Sequence, residues 1–351
     1  MRNLVLTLLA GGVMAGTGMA QAADVTIYGR AHLATSYLDD GADYSAANFS
    51  SNSSRIGFRV GHELRPGVRG LIQLEGGVNF SNTEDESFTS RDSFAGLEGD
   101  WGLLRGGRFN TPNKVVRGRV DLFGDQVGET RNIVRGNYRL DPSDSDTALE
   151  GFDERFRRGI AYRTPMVGGF FADVHYSFDT ASSANAADGN ENDAWSASVT
   201  YHDGPLYAAV AHERWNREQG DDERDVTRFA AYYDVAAFRL TGFAQTASDP
   251  DDNAYGAGVR YALRSDVHLK GQYYWLDADD GDFDADMIAM GVDYRYSPEL
   301  QFYVNYARID NDDLQTRQPW VAASPLEQSG GDDFVAGETA YAVAFGAIYN
   351  F

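Results

Sequence analysis

The sequence predicts an all-β protein: a transmembrane, up-and-down antiparallel β-barrel of about 16 strands with one long loop folded inward. Three observations support this prediction. Apolar and polar residues alternate with a period of two over successive segments of roughly 9–13 residues, the length that a tilted strand needs to cross a bilayer. Short and long connections alternate along the chain. One segment, residues 113–156, follows neither a helical nor a strand period.

The first two strands are predicted at residues 25–37 and 55–64, where apolar side chains alternate with polar ones. Arg30 and Arg55 fall on the polar faces of these strands. The polar faces are expected to point into the barrel, because the outer surface has to be apolar to contact lipid. The polar stretch 39–52 between the two strands predicts a long loop.

The alternation continues to the end of the chain. The remaining predicted strands are 68–80, 91–101, 102–112, 157–165, 170–179, 194–203, 205–216, 226–235, 237–247, 254–264, 267–278, 286–297, 300–310 and 339–351. The last strand shows the pattern most clearly. Val343, Phe345, Tyr349 and Phe351 share an apolar, aromatic face suited to lipid, whereas Ala344 lies on the opposite face and is expected to line the lumen.

The connections indicate how such a barrel would sit in a membrane. Tight turns such as 65–67 and 264–266 alternate with long loops that carry acidic runs, such as 249–252 and 279–284. A soluble sandwich has no reason to alternate its connections in this way. An outer-membrane barrel does, because its short turns face the periplasm and its long loops face outside.

Composition excludes several classes of function. The chain has no cysteine, which rules out zinc–thiolate sites and cysteine nucleophiles, and its net charge of −23 argues against nucleic acid as a partner. No metalloprotease motif is present, and the acidic run 277–282 departs from the spacing of a calcium loop. The acidic loops are interpreted as solvated surfaces of a protein from a salty habitat. No metal and no cofactor are predicted.

The first residues predict a cleaved signal peptide. Arg2 precedes a short apolar core, and the small residues Ala20 and Ala22 mark a cleavage site, so residues 1–22 are expected to be removed. The mature chain, residues 23–351, would then form one domain, with a net charge of −24 after the loss of Arg2. No apolar run approaches the length of a transmembrane helix.

The long segment 113–156 has the composition of a folded loop. It interleaves apolar residues such as Val120 and Phe123 with charged residues such as Arg117 and Asp125. A loop of this length in a compact domain is usually functional or disordered, and a disordered loop has little use for so many apolar residues. We therefore expect it to fold back against the barrel and to present its charges to an enclosed space.

Six motifs in the right order make the sequence resemble the trimeric general-diffusion porins of Gram-negative outer membranes. They are Ile27-Tyr28-Gly29-Arg30, Ser54-Arg55-Ile56-Gly57-Phe58, Phe94-Ala95-Gly96-Leu97, Gly107-Arg108-Phe109-Asn110-Thr111-Pro112, Ile160-Ala161-Tyr162-Arg163-Thr164-Pro165 and the terminal Phe351. The resemblance implies sixteen strands, a homotrimer in outer-membrane lipid and a third long loop that narrows the barrel. It further implies a water-filled channel for passive diffusion of ions and small hydrophilic solutes, and no enzymatic activity.

The resemblance also implies roles for individual residues. The family's basic ladder on the barrel wall matches Arg30, Arg55, Arg91 and Arg155. The family's facing acids on the loop match Asp121, Asp125 and Glu129, although the loop also carries Arg117, Arg119 and Arg131. Phe351 would be the signal read by the barrel-assembly machinery. Four other cations on the barrel wall are expected to be solvated lumen residues: Arg228, Arg239, Arg260 and Lys270.

Three alternatives stay open at this stage. The first is a substrate-selective outer-membrane channel for anions or sugars, since Tyr28, Tyr232 and Tyr274 are predicted to point inward. The second is a barrel enzyme, which would need a Ser/His/Asp-type set of residues. The third is a soluble secreted adhesin, which would not partition into detergent.

Overall fold

The computed structural model describes residues 23–81, 89–135, 152–180, 193–216, 223–248, 251–321, 323–324 and 334–351. These residues form seventeen strands, two short α-helices and one 3₁₀ helix. The strands are β1 Asp24–Asp39, β2 Ser45–Ser51, β3 Arg55–Arg65, β4 Val68–Gly77, β5 Ser93–Gly99, β6 Gly102–Asn110, β7 Arg155–Arg163, β8 Phe170–Ser177, β9 Ala194–Asp203, β10 Leu206–Trp215, β11 Arg224–Val235, β12 Phe238–Ala247, β13 Asp252–Ala262, β14 Val267–Ala278, β15 Ala285–Arg295, β16 Leu300–Asn311 and β17 Ala340–Asn350. The helices are α1 Pro112–Gly118, α2 Arg131–Val134 and the 3₁₀ turn Gly281–Phe283. The predicted signal peptide lies outside the described residues.

All strands belong to one closed antiparallel sheet. Each strand from β3 onward pairs with its neighbour in the chain, and β1 pairs with β17 to close the ring. β2 and β3 pair with successive stretches of β1, so together they occupy one strand position. The result is the predicted barrel of sixteen strand positions, which confirms the fold class.

The closing contact involves the last residue of the chain. The backbone N–H of Phe351 donates to the carbonyl of Gly29 over 3.1 Å, and the N–H of Gly29 donates back over 3.0 Å. A Cβ atom on Gly29 would lie 2.3 Å from Cζ of Phe351. Glycine at position 29 is therefore required for the terminal ring to lie against β1.

Strand boundaries follow the predictions closely, with one strand missed. β9 and β14 match their predicted ranges residue for residue. The expected loop 39–52 was wrong, because it contains β2. β2 carries one large apolar side chain, Phe49, so it lacks the alternation that identifies the other strands.

The apolar residues of the barrel lie mainly on its outer surface. Val343 and Phe345 are exposed on β17, as are Ile72 and Leu74 on β4, and these side chains face the surface that lipid covers. The predicted register is therefore confirmed. Ala344 faces inward as expected, but it is only 1% exposed and packs within a cluster of inward residues, so it does not line open lumen.

The packed core of the protein lies inside the barrel, beneath the long third loop. Apolar residues of this loop contact inward residues of the strands: Val116, Val120, Ile133 and Val134 cluster with Tyr274 and Met287, among others. Phe123 and Val127 join a second cluster with Ala289 and Ala307. The loop therefore folds into the barrel. It is not wholly irregular, because it contains α1 and α2, and none of the helices in the described segments is both long and apolar enough to cross a membrane.

Candidate functional site

The inward loop, of which the structure describes residues 111–135 and 152–154, begins with a capped helix. Thr111 is the N-cap of α1, and its Oγ1 accepts a hydrogen bond from the backbone N–H of Lys114 at 3.2 Å. Pro112 occupies the first turn, where a missing N–H costs nothing. The N–H of Asn113 donates to Oγ of Ser196 on β9 at 3.2 Å. These contacts fix the direction in which the chain leaves β6 and enters the lumen.

Side chains of two distant strands hold the tip of the inward loop. Nζ of Lys270 and Nδ2 of Asn305 both donate to Oε1 of Gln126, each at 2.7 Å. Nε2 of Gln272 donates to the carbonyl of Gly128 at 2.7 Å. The loop is thus attached to β14 and β16 through polar side chains rather than through strand pairing.

A buried ion cluster fixes the other end of the loop to β11. The carboxylate of Asp153 accepts from Nη1 of Arg228 at 2.7 Å and from Nε of Arg117 at 3.2 Å. Nη2 of Arg228 also donates to the carbonyl of Val134 at 2.9 Å. Burial alone would raise the pKa of Asp153, but the two guanidinium groups outweigh it and hold that pKa below its usual range.

The last long loop, of which the structure describes residues 312–321, 323–324 and 334–339, also contacts the inward loop. The carbonyl of Pro319 accepts from the N–H of Gly128 at 2.7 Å. Nη1 of Arg317 donates to the carbonyl of Asn132 at 2.7 Å. Trp320 is 2% exposed, so this loop is packed into the barrel mouth.

Two arginines lie side by side on the wall that faces the tip of the inward loop. Arg30 on β1 is directly opposite Arg55 on β3 in the strand register. Nη1 of Arg30 lies 3.4 Å from Oδ2 of Asp125, and Oγ of Ser53 donates to Oδ1 of the same carboxylate at 2.9 Å. Burial would raise the pKa of Asp125, but Arg30 and the Ser53 hydrogen bond lower it further than burial raises it. The loop carboxylate therefore stays charged beside the two arginines.

Arg91 and Arg155 lie next to this pair but are paired with carboxylates of the wall. Nε of Arg91 donates to Oε1 of Glu75 at 2.8 Å, and Nε of Arg55 lies 3.8 Å from Oε2 of the same residue. Nε of Arg155 donates to Oδ1 of Asp92 at 2.7 Å. Arg91 and Arg155 line one polar cavity of 150 Å³. The structure thus brings the four basic residues together.

Of the three acids expected to face the arginines, Asp125 alone contacts them within the described part of the chain. Oδ2 of Asp121 accepts from Nη1 of Arg117 at 2.7 Å and from Oγ1 of Thr130 at 3.0 Å, so it is bound inside the loop. Glu129 is 3% exposed and accepts the backbone N–H of Asp125 at 3.2 Å. Burial raises the pKa of Glu129 to about 7.

The sequence-based interpretation missed Glu75 and Asp92 as partners of the arginines. Glu75 lies in phase with the inward face of β4, so its direction was visible in the alternation, but its partner on another strand was not. Counting formal charges, Arg30, Arg55, Arg91 and Arg155 face Asp125, Glu75 and Asp92. The group therefore carries a net charge of +1.

Several other inward residues are buried rather than solvated. Arg228 and Lys270 were expected to be solvated, and this was wrong, because both are buried against the inward loop. Tyr274 is also fully buried, and the hydroxyl of Tyr28 donates to Glu75 at 2.8 Å. Arg59 lies 4.0 Å above the ring of Tyr28. Tyr232 is 8% exposed and packs against Tyr207 and Arg239. All three tyrosines are thus covered by other side chains, which does not favour them as a platform for sugars. In the segments that the structure describes, no group of three or more His, Asp or Glu side chains could hold a metal ion.

Comparisons with known proteins agree with this architecture. The family model described as Gram-negative porin matches residues 6–314. Outer membrane porin protein 32 of Delftia acidovorans is 26% identical over 325 residues, which cover 88% of this chain and 91% of that protein. Major outer membrane protein P.IB of Neisseria gonorrhoeae is 25% identical over 338 residues, covering 83% of this chain and 90% of that one.

Solved structures give the same result. The anion-selective porin from Comamonas acidovorans superimposes with a TM-score of 0.78 at 25% identity, covering 94% of this chain and all of that one. OmpF of Salmonella typhi, solved with daunomycin, shares the fold with a TM-score of 0.66 at 16% identity over 93% of this chain and 97% of that one. With its closed barrel and inward loop, this outer-membrane protein is a water-filled channel for the passive diffusion of ions and small hydrophilic solutes, and it belongs to the Gram-negative porin family.

Proposed function

We propose that Arg30, Arg55, Arg91 and Arg155 form the basic side of the channel's narrowest region, with Asp125 facing them from the inward loop. The observation that supports this most directly is the register pair Arg30–Arg55, which sets two guanidinium groups side by side opposite one loop carboxylate. Like charges directly opposite one another in a sheet are destabilising, so keeping them there is consistent with a role in permeation. Asp121 and Glu129 hold the loop in shape rather than face the solute.

We propose a weak anion preference for this region. Its four guanidinium groups exceed its three carboxylates, and the Comamonas relative is named an anion-selective porin. The acidic outer loops oppose this preference, but they lie in water, where the screening length falls from about 10 Å at 0.1 M salt to about 3 Å at 1 M. The charges of the narrow region are screened less, because little water separates them. Anion preference should therefore increase as the salt concentration rises.

Reversal potentials across a salt gradient in planar bilayers test the proposal. Replacing Arg30, Arg55 and Arg91 together with glutamine should shift selectivity toward cations at every salt concentration. Asp125→Asn should shift it toward anions. Asp121→Asn should change it less, because that carboxylate is paired within the loop.

Arg69→Gln is the matched control, since Arg69 is an exposed inward arginine paired with Asp24 near the short turns. It removes one positive charge away from the proposed region, against three for the triple variant. If the triple variant and the Arg69 variant give the same reversal potentials as the unmodified channel, the three replaced arginines do not line the narrow region. A large effect of Arg69→Gln alone would move the selective region toward the short turns.

We further propose that the mature protein is a homotrimer of single-domain channels without catalytic activity, and that it begins at Ala23. One of the similar solved structures is described as a trimer form, of OmpT from Vibrio cholerae, and the Gram-negative porin relatives are channels. N-terminal sequencing of the outer-membrane protein tests the cleavage site. Light scattering in detergent tests the assembly state, and a mass of one protomer would contradict it.

A further inference from the structure

A second row of cations crosses the barrel wall away from the arginines already described. Arg239 on β12 is directly opposite Arg260 on β13, and Arg260 is directly opposite Lys270 on β14. Neighbours in such pairs have Cβ atoms about 4.5–5.5 Å apart. All three positions share the inward face of the sheet. Three adjacent cations in one row are unfavourable unless other groups neutralise them.

The two outer members of the row are neutralised and held in place. Arg239 donates two hydrogen bonds to Asp234, at 2.7 and 2.6 Å, and lies 4.0 Å above the ring of Tyr232. Nζ of Lys270 lies 2.9 Å from Asp293 and also donates to the inward loop. Neither side chain can turn toward a solute without breaking these contacts.

The central member, Arg260, differs from its neighbours. In the described segments its side chain has no hydrogen bond or ion pair, and this side chain is only partly buried. It interacts electrostatically with Arg239 and Arg295 as well as with the carboxylates Asp234 and Asp293, which the flanking cations already use. Arg260 itself, Arg239, Arg295 and Lys270 make four cations against these two carboxylates. The guanidinium is left without a counter-ion of its own.

Arg260 lies on the periplasmic side of the inward loop. Gly258, two residues earlier on β13, lies close enough to the loop that an added Cβ would be 2.9 Å from Leu122. Arg260 is about 7 Å further along the strand toward the short turn at 263–266. Short turns face the periplasm in this class of barrel. An anion entering from outside would therefore meet Arg260 after passing the loop.

We propose that Arg260, flanked by Arg239 and Lys270, is an anion-binding site of the periplasmic vestibule that takes a phosphate-type oxyanion. A guanidinium offers parallel N–H groups that match two oxygens of such an anion. The two flanking ion pairs keep the neighbouring acids occupied, so neither carboxylate is free to neutralise Arg260. The site is separate from the arginines opposite Asp125, so its test does not depend on theirs.

Inorganic phosphate is the probe. Chloride current through single trimers of known orientation is recorded at constant ionic strength while phosphate is added to the periplasmic side. Phosphate should reduce the current with a saturable concentration dependence. Arg260→Gln should raise the half-maximal phosphate concentration about tenfold or more, as expected for the loss of a charged hydrogen-bonding partner. Arg260→Lys keeps the charge but not the paired N–H groups. Its half-maximal phosphate concentration should lie between those of the unmodified protein and Arg260→Gln.

Arg264→Gln is the matched control, because Arg264 is an exposed arginine paired with Asp266 at the adjacent turn. It should change the phosphate dependence less than about twofold. Arg260→Gln should also assemble with an unfolding temperature no lower than that of the unmodified protein, because it relieves repulsion within the row.

Several results would overturn the proposal. They are an unchanged phosphate dependence in Arg260→Gln, an equal effect of Arg264→Gln, or failure of Arg260→Gln to assemble, which would make Arg260 a structural residue. Reversal potentials at the Asp125 region are a separate measurement. The selectivity proposed for the Asp125 region can therefore be correct when the phosphate site at Arg260 is absent, and the reverse also holds.

Discussion

Replacing Asp153 with asparagine tests the buried ion cluster that fixes the inward loop to β11. Its carboxylate and the guanidinium of Arg228 are fully buried, and the side chain of Arg117 is 8% exposed. Removing one partner of a buried pair leaves an uncompensated charge, which costs about 3–5 kcal/mol. Arg228 keeps hydrogen bonds to Gln245 at 2.7 Å and to the carbonyl of Val134 at 2.9 Å. We therefore expect the free energy of unfolding to fall by an amount near the lower end of this range, about 3 kcal/mol.

Denaturant unfolding in detergent, followed by circular dichroism, gives the change in the free energy of unfolding. Asp266→Asn is the control, because the Arg264–Asp266 pair at 2.8 Å is solvent-exposed and should be worth about 0–1 kcal/mol. Adding Arg228→Gln to Asp153→Asn should recover part of the loss, since the second change removes the stranded charge. A loss below about 1 kcal/mol for Asp153→Asn, in the range of exposed pairs, would refute the reasoning.

The same cluster predicts how stability depends on pH. The pKa of Asp153 is lower in the folded protein than in the unfolded chain. Its contribution to the free energy of unfolding is therefore complete above the ordinary carboxyl pKa of about 4. This contribution is lost as the pH falls from about 4 toward the pKa of the folded state. The Asp153→Asn protein lacks this contribution at every pH. The difference in unfolding free energy between the two proteins should therefore shrink as the solution is acidified below about pH 4.

Three further predictions concern other parts of the barrel. Deleting Phe351 should reduce the yield of heat-modifiable trimer on gels without blocking export, because the two backbone hydrogen bonds to Gly29 disappear; an unchanged yield would remove any assembly role for this terminus. Ile72→Arg on the lipid face should cost about 2–4 kcal/mol in unfolding titrations if it lies near the bilayer middle, whereas Leu71→Arg on the inward face should cost less, and equal losses would mean that the register is wrong by one residue. The folded pKa of Glu129 is about 7 against an ordinary 4.5, so the stability it contributes is present below pH 4.5 and is lost as the pH rises through 7. Glu129→Gln should abolish this loss, on the order of 3 kcal/mol, and a pH profile identical to that of the unmodified protein would contradict the assignment.

The barrel itself was predictable from the sequence because strand alternation is a local property. In a strand between lipid and lumen, apolar and polar side chains alternate with a period of two. This alternation identified the outward and inward faces of β1, β3 and β17 without knowledge of the strands that pair with them. β2 was missed because its apolar content is too low to alternate. Thr111 followed by Pro112 is a recognisable helix start, but this signal is independent of strand alternation.

The candidate site was predictable only in part, because the pairing of its side chains depends on the three-dimensional fold and not on local sequence. Arg30 and Arg55 followed from their strand faces and the family motifs. Asp121 was assigned to the lumen, but its pairing with Arg117 is an i,i+4 contact at the end of α1 that no strand-based argument includes. The contact between Asp153 and Arg228 joins residues 75 positions apart and leaves no local pattern.

The hydrogen bonds between Gly29 and Phe351 also have a kinetic consequence. They join residues 322 positions apart, so ring closure depends on the longest-range contact that the chain makes among its strands. Contacts of large sequence separation form slowly, and until this one forms, the free edges of β1 and β17 present unpaired backbone groups. An open sheet with two such edges is prone to pair with a second copy. Ring closure is therefore the step at which we expect aggregation to compete most directly with assembly.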